Sequence, residues 1–523
     1  MGVGKDAGKD KVNTMDKIVV LDFGSQYAHL ICRRIREFKV YAELVPYNIS
    51  AEELELMQPK GIIFSGGPAS VYEENAPMCD KRILELNLPI LGICYGHQTL
   101  VHSFGGKVRK ANREYGSAEL IIDDPSDLFS GLNSTLRCWM SHGDAADKLP
   151  DGFNVIAHTD NSFAAAIANR ERNLYGIQFH PEVVHTERGI EVLKNFVLKI
   201  CKAKQEWDMK NFVDRTVAEI KEKIGKETVL CAASGGIDST VTALIMHRAV
   251  GDKLRCVFVN HGLLREREEE EVVTMFKDNF GIKLIYVDAE ERFLQKLKGV
   301  TDPERKRLVI GEEFGRIFEE VAKENGPFQW LAQGTLYPDV IESGVSKGPA
   351  SVIKSHHNVA GLPKELDFKV IEPLRNLYKD EVKEVGKLLG VPEHLIKRHP
   401  FPGPGLAVRI IGEVTKEKIV ICKRASKIIE DELLKANVYD KVWQAFAMVG
   451  DDKAVGVLGD ERVYGNIVTV RIVESVDAMT ADWVRLPYEL LERISNRITN
   501  EIENVTWVTY AISSKPPATI EPQ

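Results

Sequence analysis

Two clusters of reactive residue types occur in this chain, in a fixed order. The first is Gly92-Ile93-Cys94-Tyr95-Gly96, answered further on by His180-Pro181-Glu182. A Gly-x-Cys-x-Gly turn between a strand and a helix has the form of a nucleophile elbow: small neighbours permit the sharp turn, and the turn thrusts the side chain out of the sheet. At a helix N-terminus the thiol is expected to be more available as thiolate. His180 is the candidate base. In an extended stretch, residues two apart face the same side, so Glu182 points with His180 and can orient and charge-stabilise its imidazole. Gly66 and Gly67, followed by Pro68, end another strand candidate and can offer backbone N–H groups to an oxyanion. The chemistry implied is thiolate attack on an acyl group.

The second cluster is Ser234-Gly235-Gly236-Ile237-Asp238-Ser239-Thr240, wedged between an apolar strand candidate and a helix candidate. Backbone N–H groups and the helix dipole favour an anion at such a junction. The glycines let the main chain approach phosphates closely, Ser234, Ser239 and Thr240 add hydroxyl donors, and Asp238 can meet a Mg²⁺ ion. No Gly-x-x-x-x-Gly-Lys-[Ser/Thr] string occurs, which disfavours an ordinary P-loop NTPase. A chain with both clusters can release a small nucleophile at one and activate its acceptor at the other.

The elements that must position these residues follow an α/β rhythm. Lys17–Asp22, Gly61–Phe64 and Pro89–Ile93 read as buried strands, with a helix carrying Leu30, Ile31, Ile35 and Phe38 after the first. A closing helix is expected over about 186–201, then a charged linker over 202–210. A second α/β unit starts with a strand at Thr228–Ala233 and a helix from about Ser239 to Ala249, with further strands at Leu254–Asn260 and Lys283–Val287. The Pro/Gly cluster His399–Gly405 marks a boundary. Beyond it Leu406–Ile411, Lys453–Leu458 and Asn466–Val473 read as strands, interleaved with helices at Glu417–Ala436 and Leu486–Glu503. The expected fold class is α/β: two doubly wound, mostly parallel-sheet domains over 17–201 and 207–398, then a smaller α+β domain over 399–523.

With 523 residues, several domains are required. A net charge of −8 argues against a nucleic-acid binder that works by bulk electrostatics. No apolar run approaches the ~18 residues that span a bilayer, so no membrane segment is expected. Residues 1–16 are Gly/Lys/Asp-rich and expected to form a disordered tail. Eight cysteines are scattered without a Cys-x-x-Cys pair, which fits a reducing cytosol.

Residues 17 to about 201 resemble a class I, triad-type glutamine amidotransferase domain. Leu91-Gly-Ile-Cys-Tyr-Gly-His-Gln98 and Gly176-Ile-Gln-Phe-His-Pro-Glu182 match its two signature segments. The resemblance implies glutamine hydrolysis through a thioester at Cys94, with ammonia released. It also implies that Gly66, Gly67, Tyr95 and Gln98 serve the oxyanion or the glutamine, and that His142, in Met140-Ser-His-Gly143, positions substrate.

Ser234–Ser239 resembles the PP-loop of N-type ATP pyrophosphatases, which split ATP between the α and β phosphates and leave an adenylated substrate. Gly334 and Lys379 join the loop as implied ATP contacts, with Lys354 a further candidate for neutralising pyrophosphate. Gln333–Asp339, Ile353–Asn358, His399–Gly405, Gly456–Asp460 and Lys515–Glu521 extend a resemblance over 17–523 to the ligases that join both domains to aminate XMP. That resemblance implies substrates glutamine, ATP and XMP, Mg²⁺ as cofactor, XMP contacts from Arg307, Asp460, Lys515 and Glu521, and a lid bearing Lys354, His356 and His357. Residues 399–523 resemble the dimerisation and substrate-binding domain of those ligases, which implies a homodimer, as does the lack of a long insertion there. The chain departs from the pattern at Asn260-His261, where an acidic residue is usual, and at Glu521-Pro-Gln523, where Glu-Trp-Glu is usual. Two rival readings are an NAD- or asparagine-forming ligase fed by ammonia and a regulatory nucleotide binder with a retired site. The intact triad, the complete loop and the Lys515–Glu521 segment weigh against both.

Overall fold

Short β-branched runs build the first sheet: β1 (Lys17–Asp22), β2 (Tyr41–Pro46), β3 (Gly61–Phe64) and β4 (Ile90–Ile93). β3 and β4 are buried at every position, as strands covered on both faces must be. β5 (Lys107–Ile122), β6 (Thr135–Lys148), β7 (Asn154–His158), β8 (Ala166–Asn169) and β9 (Leu174–Ile177) complete a nine-stranded sheet ordered β2-β1-β3-β4-β9-β8-β7-β5-β6. Strands β2 to β9 along that order run parallel, and pairing turns antiparallel from β9 outward. The sequence reading did not anticipate the antiparallel wing. Its long strands keep one face exposed, and the alternation along β6 is half polar, so no apolar run advertises it. This computed structural model describes residues 15–344, 368–475 and 480–523.

Three helices of this unit matter here, and one of them adjoins the thiol. Ala28–Glu37 buries Ile31, Cys32 and Ile35, and Tyr95–Ser103 starts directly after Cys94. The closing helix begins at Gly189, later than expected, and continues as a π turn over Asn195–Ile200. Contacts divide the chain into Met1–Asp208 and Met209–Gln523.

The second unit carries a five-stranded parallel sheet: β10 (Val229–Ala232), β11 (Leu254–Asn260), β12 (Leu284–Asp288), β13 (Trp330–Ala332) and β14 (Lys369–Ile371). Its order is β12-β11-β10-β13-β14. The chain leaves β10 toward one side, then returns to add β13 and β14 on the other. Loops after β10 and β13 therefore open a crevice at the topological switch point, where α/β sheets take their ligands.

The same unit holds a long hairpin, β15 (Gln444–Leu458) and β16 (Glu461–Glu474), with β17 (Asp482–Trp483) and β18 (Val505–Tyr510) on β16. Helices Lys416–Lys435 and Tyr488–Glu501 bury Ile421, Cys422, Ile428, Leu490 and Ile494 in an apolar cluster that continues to Leu230 and Val257 of the parallel sheet. The strand expected at Leu406–Ile411 does not form. Gly405–Val408 is a 3₁₀ turn, and only Ile410 bridges, to Val449. Leu406, Ala407, Val408 and Ile410 are all buried, and a short buried apolar run reads the same for a strand as for a helical turn.

Candidate active sites

Cys94 stands between β4 and the helix Tyr95–Ser103, with φ 53° and ψ −105°, a conformation that an L-residue holds only when its surroundings enforce it. Those surroundings are the flanking glycines. A Cβ on Gly92 would overlap the Gly96 carbonyl, and one on Gly96 would overlap the Phe64 carbonyl of β3. The main chain is pinned by Cys94 N donating to Ile177 O at 2.8 Å. Strand pairing between β4 and β9 brings the segment after Ile177 alongside the thiol.

His180 Nδ1 lies 2.7 Å from Glu182 Oε1, both side chains being buried. Burial works against a charged imidazole, but Glu182 and a hydrogen bond with Cys94 outweigh it and hold His180 well above the ordinary histidine value. Tyr27 meets the imidazole edge-on at 5.3 Å. A Cβ on Gly66 would sit 3.2 Å from His180 Cε1 and 3.7 Å from Cys94 Cβ, so this glycine lines the reaction centre. Gly67 has no room for a side chain either: its Cβ would lie 2.6 Å from Phe23 O. Tyr95 OH donates to Pro77 O at 2.8 Å, which ties the helix start to the preceding loop. The arrangement can form a thiolate–imidazolium pair beside backbone donors.

Two neighbours of the sulfur were not singled out from sequence. Gln178 Nε2 is 3.7 Å from Cys94 Sγ, and Ser141 O is 3.7 Å from it on another side. Gln178 stands two residues before His180 in the same extended segment, so the alternation that linked His180 to Glu182 could have found it. Gln98 Nε2 donates to Asp144 O at 2.8 Å and reaches Gln178 Oε1 at 3.4 Å. The His142 ring faces the core, with Nε2 3.1 Å from Glu114 Oε2 and Nδ1 3.1 Å from Asp144 O. It is therefore the main chain of Ser141, one residue earlier, that reaches the thiol. Burial opposes ionisation of Glu114, yet His142 outweighs it and keeps that carboxyl below its usual range.

At the second cluster the helix begins at Ile237, two residues before the expected start, with Gly236 as its N-cap. Asp238 and Ser239 thus occupy the first turn, whose N–H groups lack an i−4 carbonyl within the helix, and Thr240 N makes the first helical bond, to Gly236 O at 3.1 Å. Gly235 adopts φ +77°, and a Cβ there would lie 2.6 Å from Val272 Cγ2. Ser234 and Ser239 hydroxyls are 3.0 Å apart, and Ser234 N donates to Ser239 Oγ at 3.1 Å. Gly334, just after β13, packs against this helix: its Cβ would be 3.2 Å from Thr242 Oγ1. Lys379 Nζ meets Asp238 Oδ2 at 2.5 Å, while Asp238 Oδ1 is buried with no hydrogen-bond partner among the described residues. One turn after Lys379 stands Lys383, missed from sequence. Burial and the adjacent Lys379 hold its ammonium below the usual lysine value.

The residues expected around XMP divide. Arg307 Nη2 donates to Gln523 O at 2.7 Å. Glu521 takes a fork from Arg409, Nη2 to Oε1 at 2.9 Å and Nε to Oε2 at 3.0 Å, and a further donor from Gln444 at 2.6 Å. The Arg409 guanidinium lies over Phe446 at 4.2 Å and Phe401 at 4.9 Å. Arg307 and Glu521 are thus gathered on the 519–523 segment, and the Lys515 main chain pairs with Ala481. Asp460 is not brought to them. It lies exposed in the turn joining β15 to β16, whereas Gln444, which holds Glu521, opens β15. Lys354, His356 and His357 lie outside the described residues.

A thiol elbow with a buried His–Glu pair, on a largely parallel sheet, defines a triad amidotransferase. Residues 19–200 match the family model for class-I glutamine amidotransferases, and residues 431–522 match the model for the GMP synthase C-terminal domain. The chain is 57% identical over 506 residues to a glutamine-hydrolysing GMP synthase of Carboxydothermus hydrogenoformans, covering 97% of this chain and 99% of that protein. Proteins of the same name from Gloeothece citriformis and Brachyspira hyodysenteriae are each 53% identical, over 98% and 97% of this chain and 96% and 99% of theirs. The chain belongs to the family of glutamine-hydrolysing GMP synthases.

Proposed function

We propose that this protein aminates XMP to GMP with glutamine as nitrogen source and MgATP as activator, releasing glutamate, AMP and pyrophosphate. The observation that carries the reading is the pairing, in one chain, of an elbow thiol backed by His180–Glu182 with a Gly-rich loop at a sheet's switch point. Cys94 attacks the side-chain carbonyl of glutamine, and N–H groups around Gly67 and Tyr95 receive the oxyanion. His180 passes its proton to the departing ammonia, then activates the water that cleaves the thioester. In the second unit the loop Ser234–Thr240 and Lys379 hold ATP while the C2 oxygen of XMP attacks the α-phosphorus and pyrophosphate departs. Ammonia then adds at C2 and AMP leaves, a poor leaving group having been replaced by a good one.

Mg²⁺, when bound, would neutralise charge on the departing pyrophosphate. Asp238 would hold it, and the partnerless, buried Oδ1 suits a cation. The ion would be held mainly through substrate phosphates, with Asp238 as its protein ligand. Arg307, Lys515 and Glu521 are the proposed XMP contacts, with 399–523 as the dimerising part. Val457 and Tyr464 of the hairpin are 72% and 68% exposed, and Val455 and Trp507 accompany them. Such an apolar face supports a homodimer. No helix among the described residues is long and apolar enough to cross a membrane; a cytosolic location is part of the proposal.

The test follows XMP conversion by absorbance with MgATP and either glutamine or ammonium, for wild type and Cys94→Ala. The variant should fail with glutamine and work with ammonium. Absence of GMP from wild type with either nitrogen source would overturn the acceptor assignment.

A further inference from the structure

We propose that Gln178 is the second hydrogen-bond donor to the Cys94 sulfur, holding the thiolate for attack alongside His180. The inference rests on Cys94 being the nucleophile. Gln178 follows β9 directly and is fully buried, with its main-chain N donating to Ala165 O at 2.8 Å. Its Nε2 stands 3.7 Å from Sγ, within reach of a large, polarisable acceptor.

Which end of the amide faces the sulfur follows from its other neighbour. Gln98 Nε2 is committed as donor to Asp144 O at 2.8 Å, and its second hydrogen points to Gln178 at 3.4 Å. Only the Gln178 oxygen can accept there, because a flipped amide would set two NH₂ groups against each other. The Gln178 NH₂ is thereby turned toward Cys94. Asp144 is itself held, its carboxylate accepting from Ser70 at 2.5 Å and Tyr72 at 2.8 Å. The chain of bonds runs from the segment after Gly66-Gly67 to the nucleophile.

The sulfur's remaining neighbour explains why a second donor is needed. Ser141 O, 3.7 Å away, accepts from the neutral S–H and so favours the thiol. Once the proton has gone, that carbonyl faces a negative sulfur with nothing to accept. An amide N–H on the opposite footing favours the thiolate, and does so without a proton of its own to lose.

The experiment uses the full-length protein with Gln178→Met, which keeps length and loses the donor, and Gln178→Glu, which replaces the donor by an acceptor. Alkylation of Cys94 by iodoacetamide is followed by mass across about pH 5–9, with ammonium-driven GMP formation as the folding control. The expected result is a profile midpoint about one pH unit higher in Gln178→Met, and higher still in Gln178→Glu. The kcat for glutamine should fall about tenfold, with KM within about twofold of wild type. A third variant, Gln98→Met, frees the amide orientation and should shift the midpoint in the same direction. Profiles that superimpose on wild type, whether or not kcat falls, would overturn the proposal and leave Gln178 a packing residue. Wild type that hydrolyses glutamine while Cys94 stays unalkylated would instead overturn the nucleophile assignment.

Discussion

Replacing Glu182 by Gln isolates the charge behind His180 from its geometry. The carboxylate is fully buried, with Oε1 2.7 Å from His180 Nδ1 and Oε2 unpartnered among the described residues. A glutamine oxygen can still accept from Nδ1–H, so the ring keeps its orientation. What disappears is the counter-charge to the imidazolium. Two unit charges with centres ~4 Å apart interact by about 4 kcal/mol at an effective dielectric of ~20. At 1.36 kcal/mol per tenfold, that predicts a fall in kcat/KM for glutamine of about a thousandfold. The new amide nitrogen also lands where no acceptor is available, which costs about 1–3 kcal/mol of stability. The pH profile supplies the sign. Glu182 and Cys94 hold His180 well above its ordinary value, so the thiolate–imidazolium form persists to high pH. Without the charge His180 gives up its proton earlier, and the alkaline limb moves down. Glutamate release across pH is the assay, with ammonium-driven amination as control. A loss under about tenfold, or an unmoved alkaline limb, would falsify the role given to the Glu182 charge.

Two further outcomes are expected. Gly235→Ala imposes a Cβ on a φ of +77° and sets it 2.6 Å from Val272 Cγ2; strain and overlap together cost about 2–4 kcal/mol. ATP should bind at least about tenfold more weakly while Cys94 alkylation stays unchanged, and a wild-type ATP KM would contradict the loop's assignment. His97 is buried, and burial together with nearby His142 pushes its pKa down to about 3. Below about pH 6.5 the unfolded chain takes up a proton that the folded one refuses, so stability falls with acidity by up to about 1.4 kcal/mol per unit, or roughly 2 kcal/mol by pH 5. His97→Phe should flatten that slope in urea titrations, and an unchanged slope would mean that folded His97 takes up the proton as readily as the unfolded chain does.

Much of both sites was legible because their chemistry is local. Gly92 and Gly96 must be glycines for the turn at Cys94 to close, since side chains on either would overlap main-chain carbonyls. His180 and Glu182 share a side by strand alternation and pair as that spacing implies. Ser234 to Thr240 declares a loop feeding a helix, misjudged only in where the first turn starts. The Leu406–Ile411 segment was not legible in this way, because an apolar run this short carries no period.

What the residues alone determined is which chemistry each turn can do, because a glycine-permitted turn is decided by atoms a few positions apart. Which side chains converge was decided by tertiary structure. Gln178 reaches Cys94 across 84 positions, through the pairing of β4 with β9. Lys379 meets Asp238 across 141, and Arg409 grips Glu521 across 112. The same folding carries Asp460 to the far end of a hairpin from Glu521, although both stood in promising motifs. Strand register and crossover direction set these meetings, and both depend on how whole strands and helices bury their apolar faces.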